Sequence, residues 1–216
     1  MKVVSYYTKS GQYPALAERL RASCDRFDLN HFIAPMQAAD WMVVCNQKPK
    51  FLRDMLMETR GPILWCDADC EILRMPSLFW KHGFDFAIYN WAADPACHED
   101  VAYNPGTCNF SSGVVYLDYT APVFELLAFW IEATARAKIV DDQVLNEVWN
   151  NRRPPVRNMW LPRQANWMTG PFGPPTEDVI IRHDFVNGSG KYRVGLMRKQ
   201  PYAPLPAEEF SGRVQT

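Results

Sequence analysis

Through its first 150 residues the chain alternates short apolar runs with amphipathic stretches, and this alternation dictates an α/β sheet. Residues 2–8 (KVVSYYT) are rich in β-branched and aromatic side chains and read as a buried first strand. Pro14 then opens a helix over residues 15–27, with Leu16, Leu20 and Cys24 at helical spacing. Residues 30–34 are expected to form a second strand and residues 41–45 a further apolar run. A helix over 49–59 carries Phe51, Leu52, Met55 and Leu56. Gly61-Pro62 ends it and launches 63–66, the central strand. Strands at 84–89 and 114–117 follow, then helices at 122–138 and 142–149. Such an order builds an open, mixed and mostly parallel sheet flanked by helices, whose ligands gather at the carboxyl ends of the strands.

Beyond residue 150 the pattern weakens. Pro154, Pro155, Pro162, Pro171, Pro174 and Pro175 mark a loop-rich section, 179–182 a last short strand, and 201–206 an extended tail. A length of 216 residues suits one domain with a small appendage. A net charge of −1 gives no reason to expect a general nucleic-acid binder. No apolar stretch approaches the roughly 20 residues needed to cross a bilayer, and the polar turn after the first short apolar run gives no expectation of a signal peptide. The six cysteines contain no CxxC pair, and the histidines are not spaced to complete a zinc site. Cys66 and Cys70 read as small buried hydrophobes. The expectation is a soluble, reduced, cytoplasmic protein.

The segment with most chemical content is PILWCDADCEIL, residues 62–73. An apolar strand runs directly into Asp67-Ala68-Asp69. With 14 Asp in the chain an Asp-x-Asp arises by chance about once, so its position carries the weight. Two carboxylates beside a buried strand are costly unless a cation or hydrogen-bond donors compensate them. At a strand's carboxyl end they can hold a hard divalent cation through oxygen.

In these residues the sequence resembles the glycosyltransferases of the GT-A fold, closest in pattern to small retaining families whose DxD motif follows an apolar strand. The resemblance covers about residues 1–195 and implies a single GT-A-like, Rossmann-like domain, with 196–216 as a tail. Residues 1–120 would form the nucleotide-binding part and 121–195 the part that meets the acceptor and completes the metal site. The first strand and its loop, including Thr8 and Tyr13, would meet the base and ribose. In Gln47-Lys48-Pro49-Lys50, Lys50 would face the diphosphate or ribose. The segment from Asn109 through Ser111, Ser112 and Gly113 to Val114 would line the sugar pocket.

Asp141-Asp142-Gln143 resembles the family's acidic-Gln motif. Asp141 is also a good helix N-cap, which leaves Asp142 and Gln143 as the pair expected to contact the donor sugar. Late in the chain, His183 through Gly188 to Lys191 resembles a His-x-x-Gly-x-x-Lys element. There His completes the metal shell and Lys meets the diphosphate. The spacing is longer here, and Tyr192-Arg193 replaces the usual Pro-Trp, so Lys191 and Arg193 are both candidates.

The resemblance thus implies Mn²⁺ or Mg²⁺ held by Asp67, Asp69 and His183. It further implies transfer from a nucleotide sugar, UDP-linked by preference, to a hydroxyl with retention. An inverting enzyme would need a carboxylate base, for which Asp142 or Asp118 would serve. The acceptor class stays open between a glycan, a small molecule and modified DNA. Arg152, Arg153, Arg157 and Arg163, interleaved with Trp160 and Trp167, would suit a polyanion. Phosphatases of the haloacid-dehalogenase type also place Asp-x-Asp after an apolar strand. They do so on the first strand, with Thr or Val two residues after the second Asp. Here at least two strands come first and Cys70-Glu71 follows. A non-catalytic nucleotide-sugar-binding module is the remaining alternative.

Overall fold

The computed structural model describes residues 1–37, 40–81, 83–94 and 108–184. Strand β1 (Lys2–Thr8) and strand β3 (Ile63–Cys66) fall where the sequence places them, and strand β2 (His31–Met36) lies a residue or two later than expected. Helix α1 (Tyr13–Arg26) starts around Pro14, and helix α3 (Lys48–Thr59) around Pro49, a ring pre-set for the first helical turn. The apolar run after residue 40 forms helix α2 (Trp41–Asn46). Asp40 commits it to that conformation, because its carboxylate accepts the Met42 N–H at 2.9 Å.

Strand β5 (Phe86–Asn90), strand β6 (Phe110–Leu117) and strand β7 (Asn158–Trp160) complete a six-stranded sheet in the order β2-β1-β3-β6-β5-β7. Pairings β1–β2, β1–β3 and β5–β7 are parallel, whereas β6 runs antiparallel to both β3 and β5. Five strands therefore share one direction and β6 opposes them, the mixed and mostly parallel sheet expected. The reversal matters for the site. It brings the beginning of β6 to the edge where β1 and β3 end.

Side chains alternate cleanly between two cores, as a pleated sheet covered on both faces requires. Val3, Leu64, Cys66 and Tyr116 face α1, through Ala17, Leu20 and Cys24. Val4, Ile63, Trp65, Val115 and Leu117 face α3, helix α4 (Ala121–Thr134) and helix α5 (Asp141–Arg152). A second, three-stranded sheet lies on the α1 side in the order β4-β9-β8. It is made of strand β4 (Cys70–Ile72), strand β8 (Trp167–Met168) and strand β9 (Ile181–His183), with the short helix α6 (Thr169–Phe172) following β8. Among the described residues no helix is long and apolar enough to cross a membrane.

Candidate functional site

The site begins where β3 ends. The Asp67 N–H donates to the Gly113 carbonyl at 2.8 Å, adding one rung to the β3–β6 ladder. The Cys70 N–H then returns to the Asp67 carbonyl at 2.9 Å, so the chain turns sharply across Asp67-Ala68-Asp69 and leaves as β4. Strand β9 lies antiparallel to β4 with His183 paired directly opposite Cys70. This pairing delivers an imidazole to the two carboxylates: His183 Nε2 lies 3.2 Å from Asp69 Oδ1 and 3.7 Å from Asp67 Oδ2.

The electrostatics suit a cation. Burial by itself would push the His183 imidazole towards its neutral form. The charge and hydrogen bond of Asp69, with Cys70 and Asp67 behind it, outweigh that and raise its pKa to about 10. The carboxylates thus draw a positive charge into their midst, and two carboxylate oxygens with an imidazole nitrogen form a donor set that fits Mn²⁺ or Mg²⁺. Gly113 supplies the space, since an added Cβ there would run into His183 Nδ1 and Cε1.

A buried cation-and-carboxylate cluster adjoins this corner. The Lys48 ammonium lies 2.8 Å from Asp141 Oδ2 and 3.1 Å from Asp67 Oδ1, and it donates to Ser112 Oγ at 2.9 Å. Ser112 Oγ in turn donates to Asp141 Oδ2 at 2.7 Å, and Trp65 Nε1 donates to Asp67 Oδ1 at 2.8 Å. Burial alone would discharge Lys48. Asp141 and Asp67 overcome it and hold the lysine well above its ordinary pKa, so it stays charged.

Two residues of this cluster depart from the sequence expectation. Lys48, not Lys50, enters it; Lys50 is exposed. Asp141 is not the N-cap of α5, a place taken by Val140, but sends its buried carboxylate into the cluster. Asp142 is buried beside it and accepts the Gln143 N–H at 2.8 Å, and Gln143 is exposed. Ser111 is buried and accepts from Asn166 Nδ2 at 3.3 Å. Thr8, the last residue of β1, and Tyr13, the first of α1, are both half-buried and lie at the same edge as Asp67 because β1 and β3 are parallel. Gly188, Lys191 and Arg193 lie outside the described residues, as does the 196–216 tail.

Of the Arg and Trp residues of 152–167, both tryptophans and two of the arginines are engaged with other groups of the fold. Trp160 packs on Trp149 and Phe110, and Trp167 is buried with its Nε1 donating to the Gly173 carbonyl. Arg157 pairs with Asp85 and Arg163 with Asp94. Asp118 follows the last residue of β6, at the opposite edge of the sheet from Ser112. Five residues of strand lie between the two, six steps or roughly 20 Å.

Among solved structures the chain is similar to a glycosyltransferase involved in the glycosylation of the major capsid of PBCV-1. The TM-score is 0.62 at 13% identity, over 91% of this chain and 97% of that one. It is also similar to the galactosyltransferase LgtC in complex with donor and acceptor sugar analogs, with a TM-score of 0.51 at 12% identity over 98% and 99% of the two chains. No protein-family model matches the chain, and no curated protein does. At these identities the likeness establishes the fold: a GT-A-like α/β domain with a mixed sheet flanked by helices.

Proposed function

We propose that this chain is a metal-dependent glycosyltransferase that moves a sugar from a nucleoside diphosphate, UDP by preference, to a hydroxyl acceptor with retention. The observation that carries the reading is the convergence of Asp67, Asp69 and His183 at the carboxyl edge of a glycosyltransferase-type sheet. Asp69, His183 and Asp67 Oδ2 would hold the ion, and the mixed oxygen–nitrogen set suits Mn²⁺ slightly better than Mg²⁺. When bound, such an ion stabilises negative charge on the departing diphosphate.

The chain's own residues supply the rest. Lys48 fixes Asp67 on one side and Asp141 on the other, which sets the carboxylates before a donor arrives. Asp141 and Ser112, joined by a hydrogen bond, form a rigid polar wall for the sugar hydroxyls. Asp142, with Gln143, belongs to the donor sugar in this reading, where its carboxylate would stabilise positive charge at the anomeric carbon. Thr8, Tyr13 and residues 1–120 more broadly would take the nucleotide, and 121–195 the acceptor. Retention is the outcome the resemblance implies and requires no separate base; of the two carboxylates an inverting enzyme could use, Asp118 lies far from Ser112, whereas Asp142 is buried beside Asp141. The acceptor is a glycan, a small molecule or modified DNA in this reading, with Arg157 and Arg163 already paired to Asp85 and Asp94. A cytoplasmic setting fits the five described cysteines, all free thiols.

A thermal-shift screen of UDP- and GDP-sugars with and without Mn²⁺ tests the donor and metal together. Stabilisation by UDP-sugars only when Mn²⁺ is present, lost in Asp69→Ala, is the expected result. Equal stabilisation without Mn²⁺ would overturn the metal dependence, and an inverted anomeric product would overturn retention.

A further inference from the structure

We propose that Asp69, Cys70 and His183 form a mixed oxygen, sulfur and nitrogen site for a thiophilic divalent cation of the Zn²⁺ or Cd²⁺ class, and that such an ion displaces the hard cation of the transfer reaction. The displacement rests on the reading of Asp69 and His183 given under Proposed function. The sulfur ligation does not.

Three observations carry it. First, one carboxylate oxygen, one sulfur and one imidazole nitrogen from these residues all lie within 4.8 Å of one another. Donor atoms around a single zinc ion, at bond lengths of about 2.0–2.3 Å, sit roughly 3.5 Å apart, so a small inward movement closes the shell. Second, Cys70 and His183 face each other in the β4–β9 ladder, so the backbone of two paired strands holds sulfur and nitrogen together. Third, the Cys70 sulfur and the His183 ring pack against the same residue: Sγ lies 3.6 Å from the Gly113 carbonyl oxygen, and the ring occupies the space where a side chain at Gly113 would be.

Sequence spacing hides this site, because its histidine arrives from a distant strand. A hard ion has little use for sulfur, whereas a soft one gains a strong ligand by turning towards Cys70. Uptake deprotonates the thiol, releases the proton to solvent and leaves the sulfur bound as thiolate. Asp69 and His183 are then committed to an ion drawn towards the buried side of the turn.

Cadmium chloride titrated into the full chain reads the sulfur bond directly, through the ultraviolet sulfur-to-cadmium charge-transfer band. The expected result is one such band per chain, present in Cys45→Ala, absent in Cys70→Ala, and reached only at roughly tenfold or more higher cadmium in His183→Asn. Cadmium should also raise the free-Mn²⁺ signal in electron paramagnetic resonance of the manganese-loaded protein. A full band in Cys70→Ala, or unchanged cadmium affinity in His183→Asn, overturns the site. Wild-type protein that takes up Mn²⁺ but shows no cadmium band defeats the sulfur inference and leaves the transferase reading standing. A cadmium band without Mn²⁺ uptake does the reverse.

Discussion

Gly113 lies so close against the imidazole of His183 that no side chain fits between them. The same glycine accepts the Asp67 N–H on its carbonyl. One residue of β6 therefore both extends the strand that presents Asp67 and clears the ground on which His183 sits. In Gly113→Ala the new methyl must displace either the ring or the β6 backbone, which the Asp67 N–H ties to the end of β3 on one side and which lies at the β5–β6 bulge on the other. The ring is expected to move. Overpacking of this kind costs about 1–3 kcal/mol of stability. Manganese affinity should fall by about tenfold or more, as it does when a ligand loses its orientation. A manganese titration beside a denaturant melt checks both, and unchanged manganese affinity would show that the ring is not held by this contact.

Lys48 and Lys50 make a paired test of which lysine belongs to the site. The Lys48 side chain is 5% exposed and that of Asp141 4%, so the pair is shielded from water. Lys48→Met leaves Asp141 and part of Asp67 buried without their cation, a change expected to cost about 3–5 kcal/mol. Lys50 is exposed, and Lys50→Met should stay within about 0.5 kcal/mol of the parent. Denaturant melts of the two variants measure the contrast. Equal effects would remove Lys48 from its role as the charge between the two carboxylates.

The order of helices and strands was legible because the long elements carry strong periods and clear punctuation: Pro14, Pro49 and the Gly61-Pro62 break each begin or end an element where the chain does. The small sheet was legible only in β9, expected at 179–182, since β4 and β8, of three and two residues, are too short to show a period. Within the site, Lys48 was missed for a geometric reason. Residues two apart on a helix point roughly 200° apart, so one of the two lysines had to face away, and the sequence does not say which. In sequence Asp141 looks like a cap, because an acid at a helix head looks the same whether it caps or reaches elsewhere. Its partners Lys48 and Ser112 are distant in sequence. The link between Cys70 and His183 exists only through strand pairing.

Acid stability should report Asp85. Its carboxyl accepts from the Arg157 guanidinium at 2.7 and 3.0 Å and from the Arg157 N–H at 3.1 Å, tying the start of β5 to the segment that enters β7. Hydrogen bonds from Arg157 hold its pKa below the ordinary 3.8, against the opposing effect of burial. A carboxyl depressed on folding adds stability that is fully present above the unfolded-state value and is lost as pH falls through the folded one. Asp85→Asn should therefore melt earlier than the parent at neutral pH, with the gap closing as pH drops below about 4. Melting temperatures measured across that window test it, and a gap that stays constant would assign the loss to packing alone.

Arg19 ties helix α1 to both segments that present the proposed metal ligands. Its guanidinium donates to the Asp69 carbonyl at 3.1 Å and pairs with the Asp184 carboxylate at 2.6 Å, one residue past His183. Asp184 also donates its N–H to the Asp69 carbonyl at 3.2 Å, so the turn that presents Asp69 and the strand end that presents His183 are pinned at one point. One nitrogen, Nη2, makes both contacts, and the rigid guanidinium is aimed by its Nε, which lies 3.6 Å from Glu71 Oε2, an orientation a single ammonium lacks. Arg19→Lys should therefore weaken manganese binding by about tenfold, and Arg19→Met by more, within the 10- to 100-fold range typical of groups that orient metal ligands. Arg182 also binds Glu71 and Asp184, so β4 and β9 stay joined in both variants and the melting temperature should drop only slightly. Manganese affinity and melting temperature are the two readings to compare. A loss of stability that accounts for the whole loss of affinity would make Arg19 a structural brace and nothing more, whereas weaker binding by a protein that still melts near the parent temperature would make it the residue that sets Asp69 against His183.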